Sequence, residues 1–259
     1  MSLLRWIDDT QPLPHPSVAL GPGTEAPGLV AAGGRVTPRR LDEAYRAGIF
    51  PWYSPGQPVL WWSPDPRMVL PVAEFRLSHT LRKTIRRFLR TPGCEIRFDH
   101  DLAAVIDACA ATPREGQDGT WIVPEVRDAY LAWGAQGRVH SAETWVDGRL
   151  VGGLYLVQIG RMAYGESMFS HATDASKIAL AALVAACRRH GIEWIDCQQN
   201  TRHLASLGAR EVPRDAFLAH VARASGAEGP AAWTYDPADW ALLLAPPAPA
   251  AAIPPSEAA

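Results

Sequence analysis

The sequence predicts a mixed fold of the α+β or α/β class over residues 70–243. Two hairpin signals follow a series of helical segments, a long Ala- and Leu-rich helix comes next, and a short apolar strand follows it. Helices and antiparallel strands in this order are typical of mixed folds. A small Pro- and Trp-rich N-terminal domain is expected over residues 1–69, and a disordered Ala/Pro-rich tail over 244–259.

One helix is predicted in the N-terminal domain. Thr37 is a good N-cap, Pro38 suits the first helical turn, and Gly48 is a natural C-terminal glycine. Residues 49–66 hold five prolines and three tryptophans. That composition predicts an ordered loop held by aromatic packing, without helix or regular strand.

The elements of the larger domain follow in order. Residues 70–75 predict a strand, and the apolar spacing after them predicts a basic helix. Further helices are predicted over 101–111, 124–133 and 175–190, and a last one begins near Pro213. Turns at Asp147-Gly148 and Gly160-Arg161 predict two hairpins, and residues 192–197 predict a buried strand.

The composition excludes several classes of protein. The chain of 259 residues is 47% hydrophobic and 20% charged, as in ordinary globular proteins. It has no apolar run long enough to span a membrane and no signal-peptide pattern, so a cytoplasmic protein is expected. The four cysteines form no CxxC and the eight histidines show no ligand spacing, so neither a metal site nor a disulfide framework is expected.

Positive charge is concentrated on the predicted basic helix, although the formal net charge is −2. A solvated surface helix is the ordinary interpretation of such a run. Like charges four residues apart repel each other, however, so a one-sided cluster is better accommodated against phosphates. The cluster consists of Arg82, Lys83, Arg86, Arg87 and Arg90.

The buried strand ends in two polar residues, Asp196 and Gln198, with Cys197 between them. Alternation along a strand places Asp196 and Gln198 on one face and Cys197 on the other. Polar groups at the end of an apolar strand need a polar partner, which is either a substrate or simply water.

A second candidate site lies at residues 165–170 (GESMFS), just before the long helix. Glu166 stands beside Ser167, Met168 and Phe169, where a carboxylate needs a partner, a raised pKa or a ligand. The alternative is that Met168 and Phe169 are core residues and Glu166 is exposed.

Tryptophans in loops form the third candidate set. Aromatic planes stack on nucleobases, and Trp52 and Trp121 are borne on predicted loops. Core packing is the preferred interpretation for Trp61 and Trp62.

Together these motifs resemble the bacterial leucyl/phenylalanyl-tRNA–protein transferase family over about residues 28–220. The matching pieces, in order, are 48–56 (GIFPWYSPG), 60–67 (LWWSPDPR), 119–122 (GTWI), 165–170 (GESMFS), 175–177 (ASK), 196–198 (DCQ) and 203–209 (HLASLGA). Each motif alone is weak, but their combination is specific.

The resemblance implies a GNAT-type acyltransferase fold for the larger domain. It also implies transfer of Leu or Phe, and less often Met, from aminoacyl-tRNA to proteins that begin with Arg or Lys. The new N-terminus then marks the protein for degradation by the N-end rule. No metal or CoA is implied, and the monomer is the expected state.

The resemblance also implies roles for the candidate residues. Gln198 and Asp196 carry catalysis, Trp52 and Trp121 hold the terminal adenosine of the tRNA, and the basic helix meets the acceptor stem. The pocket for the amino acid is built from Glu166, Ser167, Met168 and Phe169. A CoA-dependent N-acyltransferase and a non-catalytic RNA-end-binding module remain the alternatives.

Overall fold

A computed structural model describes residues 4–113 and 120–244. Apart from Leu244, the tail expected over 244–259 lies outside these residues, and so does most of the loop expected between residues 113 and 119. No helix of the described ranges combines the length and apolar character that crossing a membrane requires.

The N-terminal part forms a four-stranded sheet with one helix. Its elements are β1 (Trp6–Ile7), β2 (Leu29–Gly33), α1 (Pro38–Arg46), β3 (Phe50–Pro51) and β4 (Leu60–Trp62). The strand order is β1-β2-β4-β3. Helix α1 begins and ends as the sequence predicts, because the Thr37 side chain accepts a hydrogen bond from the Arg40 amide and Gly48 has a φ of +69°.

The prediction that residues 49–66 contain no strand is wrong. Phe50 pairs with Trp62 and Pro51 with Trp61, so β3 and β4 lie within this segment. Pro51 is tolerated because β3 is an edge strand, where one side of the backbone needs no ladder hydrogen bond. Trp61 is fully buried, as expected for a core residue, and its indole donates a hydrogen bond to the Gly33 carbonyl at 3.0 Å.

The larger part is a seven-stranded sheet in the order β11-β5-β10-β9-β8-β7-β6. All neighbours are antiparallel except β9 and β10, which are parallel. In chain order the elements are β5 (Arg67–Pro71), α2 (His79–Phe88), β6 (Cys94–Phe98), α3 (Leu102–Ala111), α4 (Pro124–Gly134), β7 (Val139–Val146), β8 (Arg149–Ile159), β9 (Met162–Ser170), α5 (Ala175–Arg189), β10 (Trp194–Gln198), α6 (Arg202–Ser206), β11 (Arg210–Val212), α7 (Arg214–Ser225) and α8 (Ala241–Leu244).

The mixed architecture, both hairpins and the main helices are confirmed, while several details differ, among them strands β6 and β11, which were not predicted. The strand expected over 70–75 lies at 67–71 and gives way to a 3-10 helix over Val72–Glu74. It therefore crosses the domain boundary expected at 69/70. The short helix α6 was not predicted, because five residues are too few for a helical period to show.

Both faces of the seven-stranded sheet are covered, which places the core in two layers. On one face Leu154, Leu156 and Ile195 pack against α2 and α5. On the other face Tyr155 and Tyr164 pack against α1, α3, α4 and α7. Because α1 belongs to this second layer, the N-terminal part shares a hydrophobic core with the larger sheet.

Candidate active site

A cavity of about 330 Å³ opens between the ends of β9 and β10. The two parallel strands pair only at Ala163–Ile195 and Tyr164–Asp196. Beyond these pairs the cavity lies between them, lined by residues 165–168 of β9 and by Cys197, Gln198 and Gln199. The remaining walls come from β3, β8, α5, α6 and the segment before α4.

Each of the two strands carries a β-bulge at the cavity. In the β8–β9 ladder Leu156 pairs with Gly165 and Tyr155 with Ser167, so Glu166 is the extra residue. In the β5–β10 ladder the pairing passes from Asp196 to Gln198 and omits Cys197. Bulges redirect side chains, and here they aim Glu166 and Gln198 into the same cavity.

The expected alternation of Asp196, Cys197 and Gln198 is therefore wrong. Gln198 has a φ of +56°, a left-handed conformation that is uncommon for a residue with a side chain. The bulge and this conformation bring both Cys197 and Gln198 to the cavity, whereas Asp196 is not part of its lining. Burial raises the pKa of the Cys197 thiol, which therefore stays protonated and is a poor nucleophile.

Asp196 is instead held by Arg67, a residue that the sequence analysis did not select. The Arg67 guanidinium donates two hydrogen bonds to the two Asp196 carboxylate oxygens, at 2.8 and 2.6 Å, and a third to the Gly48 carbonyl at 3.1 Å. It lies between the rings of Phe50 and Phe217, at 4.7 and 4.4 Å from their centroids. An arginine inside the apolar stretch RMVLP was the available signal, since a buried charge needs a partner.

The ion pair is connected directly to the turn at Gln198. Asp196 Oδ1 accepts a hydrogen bond from the Gln198 backbone N–H at 3.0 Å. With both oxygens bonded to Arg67 and one of them also to this amide, Asp196 holds the left-handed turn in place. Within the described part of the chain, the Gln198 side-chain nitrogen Nε2 is buried and has no hydrogen-bond partner.

Glu166 is the carboxylate that lines the cavity. Its Oε2 accepts a hydrogen bond from the Tyr130 hydroxyl at 3.4 Å, and that hydroxyl is 2.6 Å from the Tyr45 hydroxyl. Its Oε1 is buried and, among the described residues, has no partner. Burial raises the pKa of Glu166 to about 8, although the hydrogen bonds of the tyrosines oppose the shift.

The aromatic and apolar candidates are partly brought together. Trp52, Trp121, Ser167 and Met168 all line the cavity, while Phe169 is buried in the core behind it. Trp52 is fixed because its carbonyl accepts a hydrogen bond from the Trp62 indole at 2.7 Å. The apolar wall is completed by Leu154, Leu180, Leu183, Ile195 and Leu204.

The basic helix α2 is not part of the cavity, and its cations are divided between two environments. Arg82 and Arg86 donate hydrogen bonds to the Leu243 and Leu244 carbonyls, at 2.9 and 3.2 Å, at the end of α8. Lys83, Arg86, Arg87 and Arg90 are all exposed, and Arg90 lies two residues beyond the end of α2.

Two family models match the chain. The model described as leucyl/phenylalanyl-tRNA protein transferase matches residues 69–222, and the model for the N-terminal domain of that transferase matches residues 34–65.

Curated relatives match over almost their whole length. A leucyl/phenylalanyl-tRNA–protein transferase of Methylibium petroleiphilum is 66% identical over 239 residues, which is 92% of this chain and 90% of the relative. The proteins of the same description from Leptothrix cholodnii and Burkholderia ambifaria are 63% and 59% identical, covering 93% and 96% of this chain and 95% and 98% of the relatives.

Similarity to solved structures is much weaker. The C-terminal domain of a putative lysylphosphatidylglycerol synthetase from Agrobacterium fabrum aligns with a TM-score of 0.37 at 17% identity, over 68% of this chain and 56% of that one. The GNAT-type fold stays a prediction.

Proposed function

The chain belongs to the leucyl/phenylalanyl-tRNA–protein transferase family, and on this premise we propose that its acceptors are proteins that begin with Arg or Lys. It is an aminoacyltransferase, with an aminoacyl-tRNA and a protein as substrates. The proposed donors carry Leu or Phe, and less often Met, and the product is marked for N-end-rule degradation. The protein acts as a cytoplasmic monomer without metal or CoA.

One observation carries the proposal for catalysis: Gln198 and Glu166 both line the cavity, and each has one buried polar atom, Nε2 and Oε1 respectively, without a partner among the described residues. Unpaired polar groups of this kind are costly unless a ligand meets them. A reacting amine and an ester carbonyl supply the donors and acceptors that these two side chains need.

The reaction needs little more than positioning. The acceptor α-amine attacks the ester carbonyl, a C–N bond forms, the bond to the ribose oxygen breaks, and the amine proton replaces it on that oxygen. The ester is already activated, and an α-amine has an ordinary pKa of about 7.7–8.0, so a useful fraction is neutral near pH 7.

Gln198 orients this attack in the proposed mechanism. Its side-chain carbonyl accepts a hydrogen bond from the attacking amine, while Nε2 donates to the ester oxygen as negative charge develops there. Asp196 does not touch the substrate. Together with Arg67 it acts as a positioning residue that maintains the Gln198 turn.

Glu166 is the proposed reader of the acceptor's first side chain. Recognition of Arg or Lys requires a carboxylate, and Asp196 is already bonded to Arg67 through both oxygens. Glu166 lines the cavity, and its buried Oε1 has no partner among the described residues. With a pKa of about 8, free Glu166 is mostly protonated near pH 7, and the cationic side chain of the acceptor favours its ionised form, which then pairs with that side chain.

The donor amino acid occupies the apolar wall around Met168, and Trp52 and Trp121 hold the terminal adenosine. An apolar pocket separates side chains that differ by one methylene by only about 1–3 kcal/mol, so some transfer of Met is expected. The exposed cations on α2 and just after it contact the phosphates of the acceptor stem.

Transfer of labelled Phe from Phe-tRNA to two peptides, one beginning with Arg and one with Met, tests this function in the absence of any other cofactor. Label on the Arg peptide alone supports the donor and acceptor assignments. Equal labelling of both peptides removes the acceptor rule. Binding of Phe-tRNA without any transfer to either peptide favours the RNA-end-binding alternative.

A further inference from the structure

Strands β9 and β10 separate after the pair Tyr164–Asp196, and the resulting fork leaves one edge of β9 facing the cavity. Pairing with β10 ends at Tyr164, yet β9 continues to Ser170 and remains paired with β8 on its other side. Gly165 and Glu166, the first residues beyond the fork, line the cavity. Because Gly165 has no side chain, the main chain of β9 forms part of the wall there, where a neighbouring strand would otherwise lie.

A strand edge of this kind is a template for an extended chain. Main-chain N–H and C=O groups of a strand alternate between its two sides and need partners when they are removed from water. An added peptide strand supplies them through main-chain hydrogen bonds, which give affinity without reading the peptide's side chains.

We propose that the first residues of the acceptor polypeptide lie along β9 in this fork as a short added strand, hydrogen-bonded to the main chain of β9 beyond the fork, from Gly165 onward. This inference rests on the proposed function. It adds a binding subsite for the acceptor main chain to the side-chain and amine contacts described above.

The neighbouring groups favour the acceptor polypeptide as the occupant. The Glu166 carboxylate, on the same stretch of β9, matches a cationic first side chain, and Gln198 lies across the fork for the α-amine. An enzyme that modifies proteins of many sequences also needs binding contacts that do not depend on the side chains after the first residue. The ribose–phosphate chain of the tRNA lacks the alternating N–H and C=O groups that a strand edge binds.

Acceptor peptides with single backbone ester bonds test the subsite while the enzyme stays unaltered. An ester replaces one peptide N–H by oxygen, so it removes one donor without adding bulk. Starting from an Arg-initiated peptide, the ester is placed at the amide of the second, third, fourth or seventh residue. Because strand N–H groups alternate in direction, we expect a KM increase of about 3- to 10-fold at one of two successive positions near the N-terminus.

The remaining readouts define the outcome. The ester at the seventh residue should leave KM within twofold of the parent, and kcat should change little throughout. Glu166→Gln retains the main chain, so the alternating pattern should persist in that variant even where overall affinity falls. A flat profile, or equal losses at every position, overturns the added strand. Absence of label on the parent Arg peptide instead overturns the proposed acceptor rule.

Discussion

Arg67 and Asp196 lie 129 positions apart in the chain and form a two-point ion pair in which neither side chain is appreciably exposed. Arg67 belongs to β5 and Asp196 to the neighbouring strand β10. The pair supports the left-handed turn at Gln198, so the stability of the sheet and the geometry of the site depend on the same contact.

Asp196→Asn should lower the free energy of unfolding by about 3–5 kcal/mol, because it leaves the Arg67 charge buried without its counter-ion. Urea unfolding followed by fluorescence measures the change. Asp107→Asn is the control, since Asp107 pairs with Arg127 at the surface and such pairs contribute about 0–1 kcal/mol. Equal losses in the two variants would contradict the special role of the buried pair.

Gln198→Ala should lower kcat for Phe transfer about 100-fold, while KM for the Arg peptide changes less than threefold. The lost contacts are those made to the developing charge in the transition state. Steady-state transfer kinetics provide both constants. Gln136→Ala, which removes an exposed amide outside the cavity, serves as the control, and near-normal kcat for Gln198→Ala would exclude the assignment.

Glu166 should make stability depend on pH, because its pKa is about 8 in the folded protein and 4.5 in its ordinary state. The folded state holds this proton more tightly, so the contribution to stability is complete below about pH 4.5 and is lost as the pH rises to about 8. Relative to Glu166→Gln, the free energy of unfolding should fall by up to about 1.4 kcal/mol per pH unit within this window. Urea unfolding at pH 5, 6, 7 and 8 measures it, and parallel curves for the two proteins would refute the shift.

Trp52→Ala should raise KM for Phe-tRNA about 5- to 150-fold, since stacking on a nucleobase contributes about 1–3 kcal/mol. The KM for the Arg peptide should stay nearly unchanged. Trp6→Ala is a matched control, because Trp6 is 65% exposed and lies outside the cavity. Similar KM values for Phe-tRNA in both variants would remove the stacking role.

Replacing Lys83, Arg87 and Arg90 together by Gln should reduce the salt dependence of tRNA binding. The slope of log K against log salt is negative, and each lost phosphate contact makes it less negative by about 0.7–0.9. Binding titrations at several salt concentrations measure this slope. The double variant Arg82→Gln, Arg86→Gln should instead lower the free energy of unfolding, because these two side chains bond the Leu243 and Leu244 carbonyls. Its effect on the salt slope should be smaller than that of the triple variant. An unchanged slope in the triple variant would place the phosphates elsewhere.

Much of the fold is predictable from local sequence signals. Thr37 and Gly48 bound α1, Asp147 and Gly148 form the tight turn of the first hairpin, and the Ala-rich run forms α5. The strands of residues 49–66 escaped prediction because Phe50 and Trp62 pair across a proline-rich connection, which local propensity does not reveal.

The candidate site was predictable as a set of residues but not as a geometry. Trp52, Trp121, Glu166 and Gln198 do line one cavity. A strict period of two misplaced Cys197, because a bulge depends on the register with a neighbouring strand. Arg67 was missed because its partner, Asp196, comes from a strand far away in the sequence.

The packing of Arg67 against distant parts of the chain has a consequence for folding during synthesis. Its aromatic walls are Phe50 and Phe217, and its counter-ion is Asp196, so the parts arrive from widely separated stretches of the chain. A nascent polypeptide whose α7 has not yet emerged from the ribosome lacks the Phe217 ring, which is one of the two aromatic walls around Arg67. We therefore expect the enzyme to acquire activity late in translation, after nearly every element of the larger sheet has emerged.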